Sequence, residues 1–243
     1  MREIVLVHTS DVHVDDEYTA RQFGGDGVGP LRLVLDAARA ARADALLLVG
    51  DTFERHRLPE SLIVETARAL AGFGGRVVVL PGNHDPAVAD AVYHHPALRA
   101  LDHVCVLGVT HEEAVLFPEH DLEIWGRAHR AYGDMDPLAA PRPRSTRWQV
   151  ALAHGHFEPA PDRSRRARPS WLVGADEVAA TGADYVAFGH WNRPVRLETP
   201  TVPAYYSGSP DYAGTVNVVR LGAQGVAVER APLDLPAALR ATS

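Results

Sequence analysis

The stretch Val77-Val78-Val79-Leu80-Pro81-Gly82-Asn83-His84-Asp85 decides how this sequence is interpreted. Its β-branched first half predicts a buried strand, which Pro81-Gly82 ends. Asn83, His84 and Asp85 follow at once. Such polar side chains are poorly placed for a core, whereas open α/β sheets bind ligands in the crevice beyond the carboxyl ends of their strands. The stretch therefore predicts a strand that leads directly into a functional site.

Four further apolar runs end in the same way. They are Ile4 to His8 followed by Asp11 and His13, Ala45 to Val49 followed by Gly50-Asp51, Val150 to Ala153 followed by His154 and His156, and Tyr185 to Phe188 followed by His190 and Asn192. Short apolar runs bounded by glycine or proline predict buried strands. A lone aspartate after a strand is usually a helix cap, but five such strand ends in one sheet favour a shared site.

Helical patterns separate the early runs. Leu31 to Ala43, Pro59 to Phe73 and Pro86 to Leu101 have apolar residues at helical spacing, and Asp85 is expected to cap the third helix. Alternating strands and helices predict right-handed βαβ crossovers and a largely parallel sheet. No repeat or domain boundary is evident, so residues 1–243 are expected to form a single domain.

The second half of the chain has a different pattern. It predicts a hairpin, a long loop rich in proline and arginine that one strand interrupts, a short helix and a terminal hairpin. These are Ala114 to Phe117 with Leu122 to Trp125, Pro141 to Ser170 around Trp148 to Ala153, Asp176 to Thr181, and Thr215 to Leu221 with Gly225 to Arg230.

Composition sets the class of protein. The chain has 243 residues, 46% hydrophobic and 23% charged, which suits one large soluble α/β domain. No apolar run approaches the length of a membrane span, and the chain enters Ile4 to Val7 without the regions of a signal peptide. The only cysteine, Cys105, excludes an internal disulfide and fits a reducing compartment. We therefore expect a cytoplasmic protein without a membrane partner.

Charge bears on the substrate. A net charge of −7 argues against broad nonspecific affinity for nucleic acid. Local arginines could still bind phosphate, and two groups lie in the proline-rich loop: Arg142, Arg144 and Arg147, and Arg163, Arg165, Arg166 and Arg168. Each group, taken alone, is more simply explained as solvated loop charge.

The side chains at the strand ends have the chemistry of metal ligands. Asp11 and His13 are two residues apart, so in an extended segment both would point towards one ion. Gly50, before Asp51, allows close approach of the backbone. Carboxylate, amide and imidazole groups without thiolate suit manganese, iron or zinc.

Together, these motifs resemble the calcineurin-like metallophosphoesterases. The matching segments are Asp11-x-His13, Gly50-Asp51, Gly82-Asn83-His84-Asp85, His154 and Gly189-His190-x-Asn192. Tyr185 to Pro194 and Tyr206 to Pro210 most resemble the SbcD-type DNA repair exonuclease branch. The resemblance implies a four-layer α/β/β/α sandwich of two mixed sheets flanked by helices. It also implies two divalent metal ions, commonly manganese in this branch, with iron or zinc as alternatives.

The resemblance implies a role for each matching residue. Asp11 and His13 would hold the first metal, Asp51 would bridge both, and the second would be held by Asn83, His154 and His190. His84 resembles the family's general acid, which protonates the leaving oxygen or stabilises charge on the phosphoryl group.

Two residues depart from the family pattern. Asn192 stands where a histidine usually completes the first site, so looser metal binding is expected there. Glu54 stands where aspartate or histidine often orients the catalytic histidine, a role that it or His56 could serve; an exposed charge at a helix start is the alternative. His156 and Arg193 are expected to contact the substrate. His129 is expected at the surface, and His8 is expected to be structural.

These features favour a phosphodiesterase that cleaves DNA, as an exonuclease or endonuclease, with a hydroxide activated by two metals. A small-molecule phosphatase or cyclic nucleotide phosphodiesterase is the alternative. A noncatalytic scaffold is the third hypothesis, which the retained His84 argues against. SbcD-type nucleases carry a DNA-capping region and a segment that docks on a coiled-coil ATPase. Neither is evident here, so nothing in the sequence supports an ATPase partner of the SMC type.

Overall fold

The first of two six-stranded sheets carries the first three predicted strands. The computed structural model describes residues 2–165 and 170–240. Across the sheet lie β14 (Gly225–Pro232), β13 (Thr215–Gly222), β1 (Ile4–Thr9), β2 (Ala45–Val49), β3 (Arg76–Leu80) and β4 (Val104–Val106). Strands β1 to β4 are parallel, and β13 and β14 add an antiparallel hairpin to one edge.

The second sheet carries the other two predicted strands. Its order is β11 (Val195–Arg196), β12 (Ala204–Tyr206), β10 (Tyr185–Gly189), β7 (Trp148–His154), β6 (Leu122–Gly126) and β5 (Ala114–Phe117). The four central strands are parallel and both edge strands are antiparallel. A small parallel pair, β8 (His156–Phe157) and β9 (Leu172–Val173), lies beyond β7. The expectation of one shared sheet was therefore wrong.

Helices cover the outer faces of the sheets. They are α1 (Tyr18–Gln22), α2 (Gly29–Ala40), α3 (Glu60–Ala71), α4 (Pro96–Arg99), α5 (Ala175–Ala180), α6 (Pro210–Ala213) and α7 (Ala237–Arg240), with 3₁₀ turns at Val92–His94, Pro118–His120 and Arg163–Arg165. Among the helices of the described residues, none combines the length and apolar character needed to cross a membrane.

Apolar packing on both faces of each sheet produces the four layers. In β2, Leu46 and Leu48 face the cluster under α2 and α3, whereas Leu47 and Val49 face the cluster between the sheets. A third cluster, containing Val178 of α5, covers the outer face of the second sheet. Strands that are buried on both faces read as continuous apolar runs, which is why they were visible in the sequence. The predicted α/β/β/α sandwich of mixed sheets is confirmed.

The predicted third helix, Pro86 to Leu101, is wrong. The segment contains one 3₁₀ turn and the single-turn α4, which begins at Pro96. Proline disfavours helical backbone in the residue before it, and His95 is extended with ψ 134°. The His95 side chain instead accepts a hydrogen bond from Ala97 N. Helical spacing of apolar residues therefore overstated the helix because it ignored this proline.

Candidate metal centre

The carboxyl ends of β1, β2, β3, β7 and β10 meet at one end of the sandwich, and left-handed backbone positions the side chains there. Asp11, His13, Asp51 and His190 have φ values of 53°, 49°, 50° and 96°. Non-glycine residues seldom adopt this conformation, and such strain clusters at functional sites. The spacing of Asp11 and His13 suggested that an extended segment directs both side chains to the site, but their backbone is left-handed. Their amides instead pair with the carbonyls of Gly50 and Asp51.

Glycines allow the two sheets to approach each other closely around the site. A Cβ on Gly50 would lie 1.8 Å from His154 Nδ1, and one on Gly189 would lie 1.8 Å from the Val49 carbonyl. A Cβ on Gly82 would lie 2.2 Å from Asp51 Oδ1. The glycine before each of these three motifs is therefore required by packing, as the sequence predicted for Gly50.

Gly50→Ala is expected to lower the free energy of unfolding by about 3 kcal/mol, because it adds a clash to the cost of left-handed backbone. Gly74 is a matched control, since its φ of 81° is close to the 83° of Gly50 and a Cβ there would meet nothing within 4 Å. Gly74→Ala should cost only the backbone term, about 1–2 kcal/mol. Chemical denaturation would measure both, and equal losses would show that the contact with His154 is unimportant.

Two groups of potential metal ligands share Asp51. The first contains Asp11, His13 and Asp51, and the second contains Asp51, His154 and His190. Within each group the ligand atoms lie within 4.8 Å of one another. Asp11, His13 and Asp51 follow strands of the first sheet, whereas His154 ends β7 and His190 follows β10 in the second. The site is therefore assembled across the interface between the sheets.

Asn83 and the two histidines of the second sheet are in direct contact. Asn83 Oδ1 lies 3.0 Å from His154 Nε2 and 3.1 Å from His190 Nδ1. His154 Nδ1 is 2.9 Å from the Val49 carbonyl, to which it donates, so its Nε2 faces Asn83 and Asp51 Oδ2 at 3.1 Å. The ring is thus oriented by backbone, and its other nitrogen points into the polar cluster.

Burial and neighbouring charges change the pKa values of this cluster. Burial raises the pKa of Asp11, with a further contribution from the charge of Asp51. Burial alone would also raise the pKa of Asp51, but the charge and hydrogen bond of His154 hold it well below its usual range. Burial opposes protonation of His154, yet Asp51 raises its pKa to about 9. A protonated imidazole thus balances the buried carboxylates, a charge that a cation can replace.

Glu54 contacts both His13 and His84. Its Oε2 lies 2.8 Å from His13 Nδ1, and its Oε1 lies 3.5 Å from His84 Nδ1. His84 Nδ1 also donates to the backbone carbonyl of Glu54 at 3.0 Å. His84 is partly exposed, and its pKa is raised to about 9, first by the Glu54 side chain. His56 instead pairs with the Tyr132 hydroxyl.

Asp85 does not cap a helix. It is fully buried and accepts hydrogen bonds from the amides of Gly82, Asp51 and Phe53 at 2.7, 3.2 and 3.0 Å, and from the Tyr93 hydroxyl. These bonds tie the loop after β3 to the loop after β2. The capping prediction failed because an aspartate directly after a strand looks the same in the sequence whether it caps a helix or accepts hydrogen bonds from two loops.

A sequence profile confirms what these motifs indicated. The profile of the calcineurin-like phosphoesterase family matches residues 4–194, which include every residue of both ligand groups. The chain belongs to the calcineurin-like phosphoesterase family. It is therefore a hydrolase that acts on phosphoric ester bonds. Members of the family use divalent metals.

A curated relative of this phosphoesterase is the DNA double-strand break repair protein Mre11 of Aeropyrum pernix. The two are 29% identical over 222 residues, covering 82% of this chain and 52% of the relative. The chain thus spans about half the length of that protein. The match agrees with the resemblance of the sequence motifs to a DNA repair branch of the family.

Solved structures show the same fold at low sequence identity. The protein TT1561 of Thermus thermophilus aligns with a TM-score of 0.57 and 12% identity, covering 94% of this chain and 99% of that one. A Staphylococcus aureus protein provisionally described as a 5′-nucleotidase, in complex with α-ketoglutarate, aligns with a TM-score of 0.60 and 14% identity. It covers 96% of this phosphoesterase and 54% of that chain.

His129 was expected at the surface but is fully buried behind the phosphoesterase site. Its Nε2 is 2.9 Å from the His154 carbonyl, and its ring packs on His154 and Trp171. Trp171 also packs against His190, with ring centroids 5.5 Å apart. His129 lies just after the end of β6, so its position in the sequence could have indicated that it is near the site. Nothing in the sequence indicated this for Trp171. His8 bonds Tyr185 and Phe188 of β10, consistent with a structural role.

The predicted metal ligand Asn192 and the predicted substrate contacts His156 and Arg193 lie at the rim of the phosphoesterase site. His156 is exposed on β8. Asn192 and Arg193 are exposed in the loop after β10. The Asn192 side chain forms no hydrogen bond within the described residues, and its carbonyl accepts from Ser209 N at 3.2 Å.

Three arginines of the long loop pair with carboxylates while 31–40% of each side chain stays exposed. The pairs are Arg142–Glu123, Arg144–Asp184 and Arg163–Glu177. Arg166 and Arg168 lie outside the described residues, as does the side chain of Arg165. The paired arginines are therefore weak support for a phosphate-binding surface.

Proposed function

We propose that this phosphoesterase hydrolyses phosphodiester bonds of DNA with two divalent metal ions, manganese in the first instance. The observation that carries the proposal is that two ligand groups share Asp51. One group adds Asp11 and His13, and the other adds the imidazoles of His154 and His190, with Asn83 in contact with both. A carboxylate that two such groups share can hold a pair of adjacent cations, the arrangement of two-metal phosphoesterase chemistry. A cytoplasmic location is part of the proposal, since the single cysteine is buried and free.

The donor set fits hard or borderline divalent ions. Oxygen and imidazole donors without thiolate suit manganese, iron and zinc. The hydrogen bond from His154 Nδ1 to the Val49 carbonyl orients the ring, so Nε2 is the nitrogen available to bind a metal ion. Asp11 and Asp51 are buried side by side, where a cation would compensate their charges. When bound, the cations supply Lewis-acid activation of water and stabilise charge on the phosphoryl oxygens.

Each residue then has a definite task. Asp11, His13 and Asn192 would hold the first cation, Asn83, His154 and His190 would hold the second, and Asp51 would serve both. His84 donates a proton from Nε2 to the leaving oxygen, since its Nδ1 is held by Glu54. Glu54 positions both His84 and His13. His156 and Arg193 at the rim contact the substrate.

One experiment distinguishes the possible activities. Purified protein with manganese is offered linear duplex DNA, single-stranded DNA, a cyclic nucleotide and a bis-aryl phosphodiester, beside a His84→Ala variant. DNA cleavage that is lost in the variant supports the proposal. Hydrolysis of small esters alone would assign a small-molecule phosphodiesterase. Absence of all metal-dependent hydrolysis would favour a scaffold.

Asn192→His is expected to tighten manganese binding at the weaker of two sites. An amide oxygen is a poorer ligand for these ions than imidazole, so the wild type should show one tight and one loose site. Isothermal titration with manganese would measure both. Two equally tight sites in the wild type would contradict a ligand role for Asn192. Arg196→His, a change at an exposed position of β11, is a matched control.

A further inference from the structure

Trp191 is exposed directly beside the ligand cluster. It follows His190, and 44% of its surface is exposed. The other three tryptophans are more buried: Trp125 lies in the core, and Trp148 and Trp171 are half-buried. A large aromatic ring left in water at a site rim is informative, because isolated indoles are normally covered.

The indole belongs to a strip of two side-chain pairs, which are linked through the backbone between Trp191 and Arg193. The rings of Trp191 and His156 are 5.9 Å apart between centroids and tilted by 57°. Two residues further along the chain, the Arg193 guanidinium lies 5.8 Å from the centroid of Tyr212, a ring that is 50% exposed. Together, His156, Trp191, Arg193 and Tyr212 define the strip, which adjoins the ligand cluster because Trp191 directly follows His190.

The backbone that carries the strip is fixed. The Asn192 carbonyl accepts from Ser209 N, and a Cβ on Gly208 would lie 2.8 Å from that carbonyl oxygen. His156 N donates to the Trp171 carbonyl at 3.1 Å. Both segments are thus held against the site, so Trp191 and His156 present their rings at a defined place.

We propose that Trp191, with His156 beside it, stacks an unpaired nucleobase of the nucleotide next to the scissile phosphate. This inference rests on the proposed function, because the base must belong to a substrate whose phosphodiester reaches the ligand cluster. Aromatic side chains bind bases through their faces, and stacking is tolerant of sequence. Arg193, further along the strip, would contact the following phosphate as a cation.

Base stacking distinguishes unpaired from paired substrates. Inside a duplex, each base face is already occupied by its neighbours, so Trp191 has no free face to contact there. In a single strand or an unpaired end, the face is available. Trp191 would therefore act as a specificity-determining residue for unpaired nucleotides. Its removal should reduce the difference between the affinities for single-stranded and duplex DNA.

The test measures binding of a single-stranded oligonucleotide that contains 2-aminopurine, whose fluorescence is quenched by stacking. The protein is loaded with manganese and carries His84→Ala to suppress turnover. Trp191→Ala is expected to weaken binding about tenfold and to lose the quench, in line with the effect of removing a stacked aromatic residue. Trp191→Phe should retain most of both, whereas Trp191→Leu should behave like alanine. Leu116→Ala, an exposed change on β5, is the control.

Three results would overturn the inference. The first is an affinity of Trp191→Ala for the single strand that equals that of the His84→Ala parent, and the second is binding by Trp191→Leu as tight as that by Trp191→Phe. The third is an equal loss of affinity in Trp191→Ala for a duplex that contains paired 2-aminopurine. The first excludes contact, the second shows apolar burial without stacking, and the third shows no preference for unpaired bases. Binding is measured without hydrolysis. Absence of DNA cleavage in the substrate panel would overturn the proposed function separately.

Discussion

His84→Ala should reduce turnover of a phosphodiester by about 10²–10⁴-fold, the usual contribution of a positioned general acid. The ring is 41% exposed at the rim of the ligand cluster and is not part of either Asp51 group. Because its pKa is raised to about 9 by the Glu54 side chain, the imidazole is protonated at neutral pH and can donate. Steady-state kinetics with an unactivated diester would measure the loss, and mass spectrometry of the metals should show unchanged content.

Glu54 provides the companion test. Glu54→Gln keeps the shape but removes the charge that holds the pKa of His84 high. The folded-state pKa should fall towards its usual value, so the proton is lost at lower pH and the alkaline limb of the activity profile should move to lower pH. A smaller loss of turnover than in His84→Ala is expected, about 10–100-fold. A full rate in His84→Ala, or an unmoved profile in Glu54→Gln, would contradict the acid role or its positioning.

Under the proposed two-cation function, Asp51→Asn should abolish the activity, with a loss of about a thousandfold or more, because several kcal/mol of Lewis-acid stabilisation would depend on both cations. Asp51 Oδ1 accepts from His84 N at 2.9 Å, and Oδ2 lies 3.1 Å from His154 Nε2. The side-chain amide of the asparagine has only one oxygen, so it cannot accept hydrogen bonds at both positions. The variant should therefore also lose bound metal, which elemental analysis after gel filtration would show.

A neighbouring buried aspartate controls for general damage. Asp15 is as buried as Asp51 but belongs to neither ligand group, and it accepts from Tyr18 N. Asp15→Asn should retain metal and most of its turnover. If Asp51→Asn kept two ions, the shared-ligand arrangement would be wrong, whatever its activity.

The sequence predicted the strands better than the connections between them. Apolar runs on strands such as β2 and β10 are unambiguous because both faces are buried. By contrast, the turn at Pro96 replaced a helix, and Asp85 bonds across two loops that lie 34 residues apart along the chain. Apolar spacing cannot report such contacts. Nor does it show that His190 N donates to Asp11 Oδ2, since 179 residues separate them.

The division of the ligands between two sheets has a consequence for how activity is acquired. A folding intermediate that contained only the first sheet would display Asp11, His13, Asp51 and Asn83, but neither His154 nor His190. Ions bound across the interface would favour only the docked form, as any ligand of the native state does. Hydrolytic competence therefore requires both sheets to be docked in the correct register, and it can serve as a reporter of that docking.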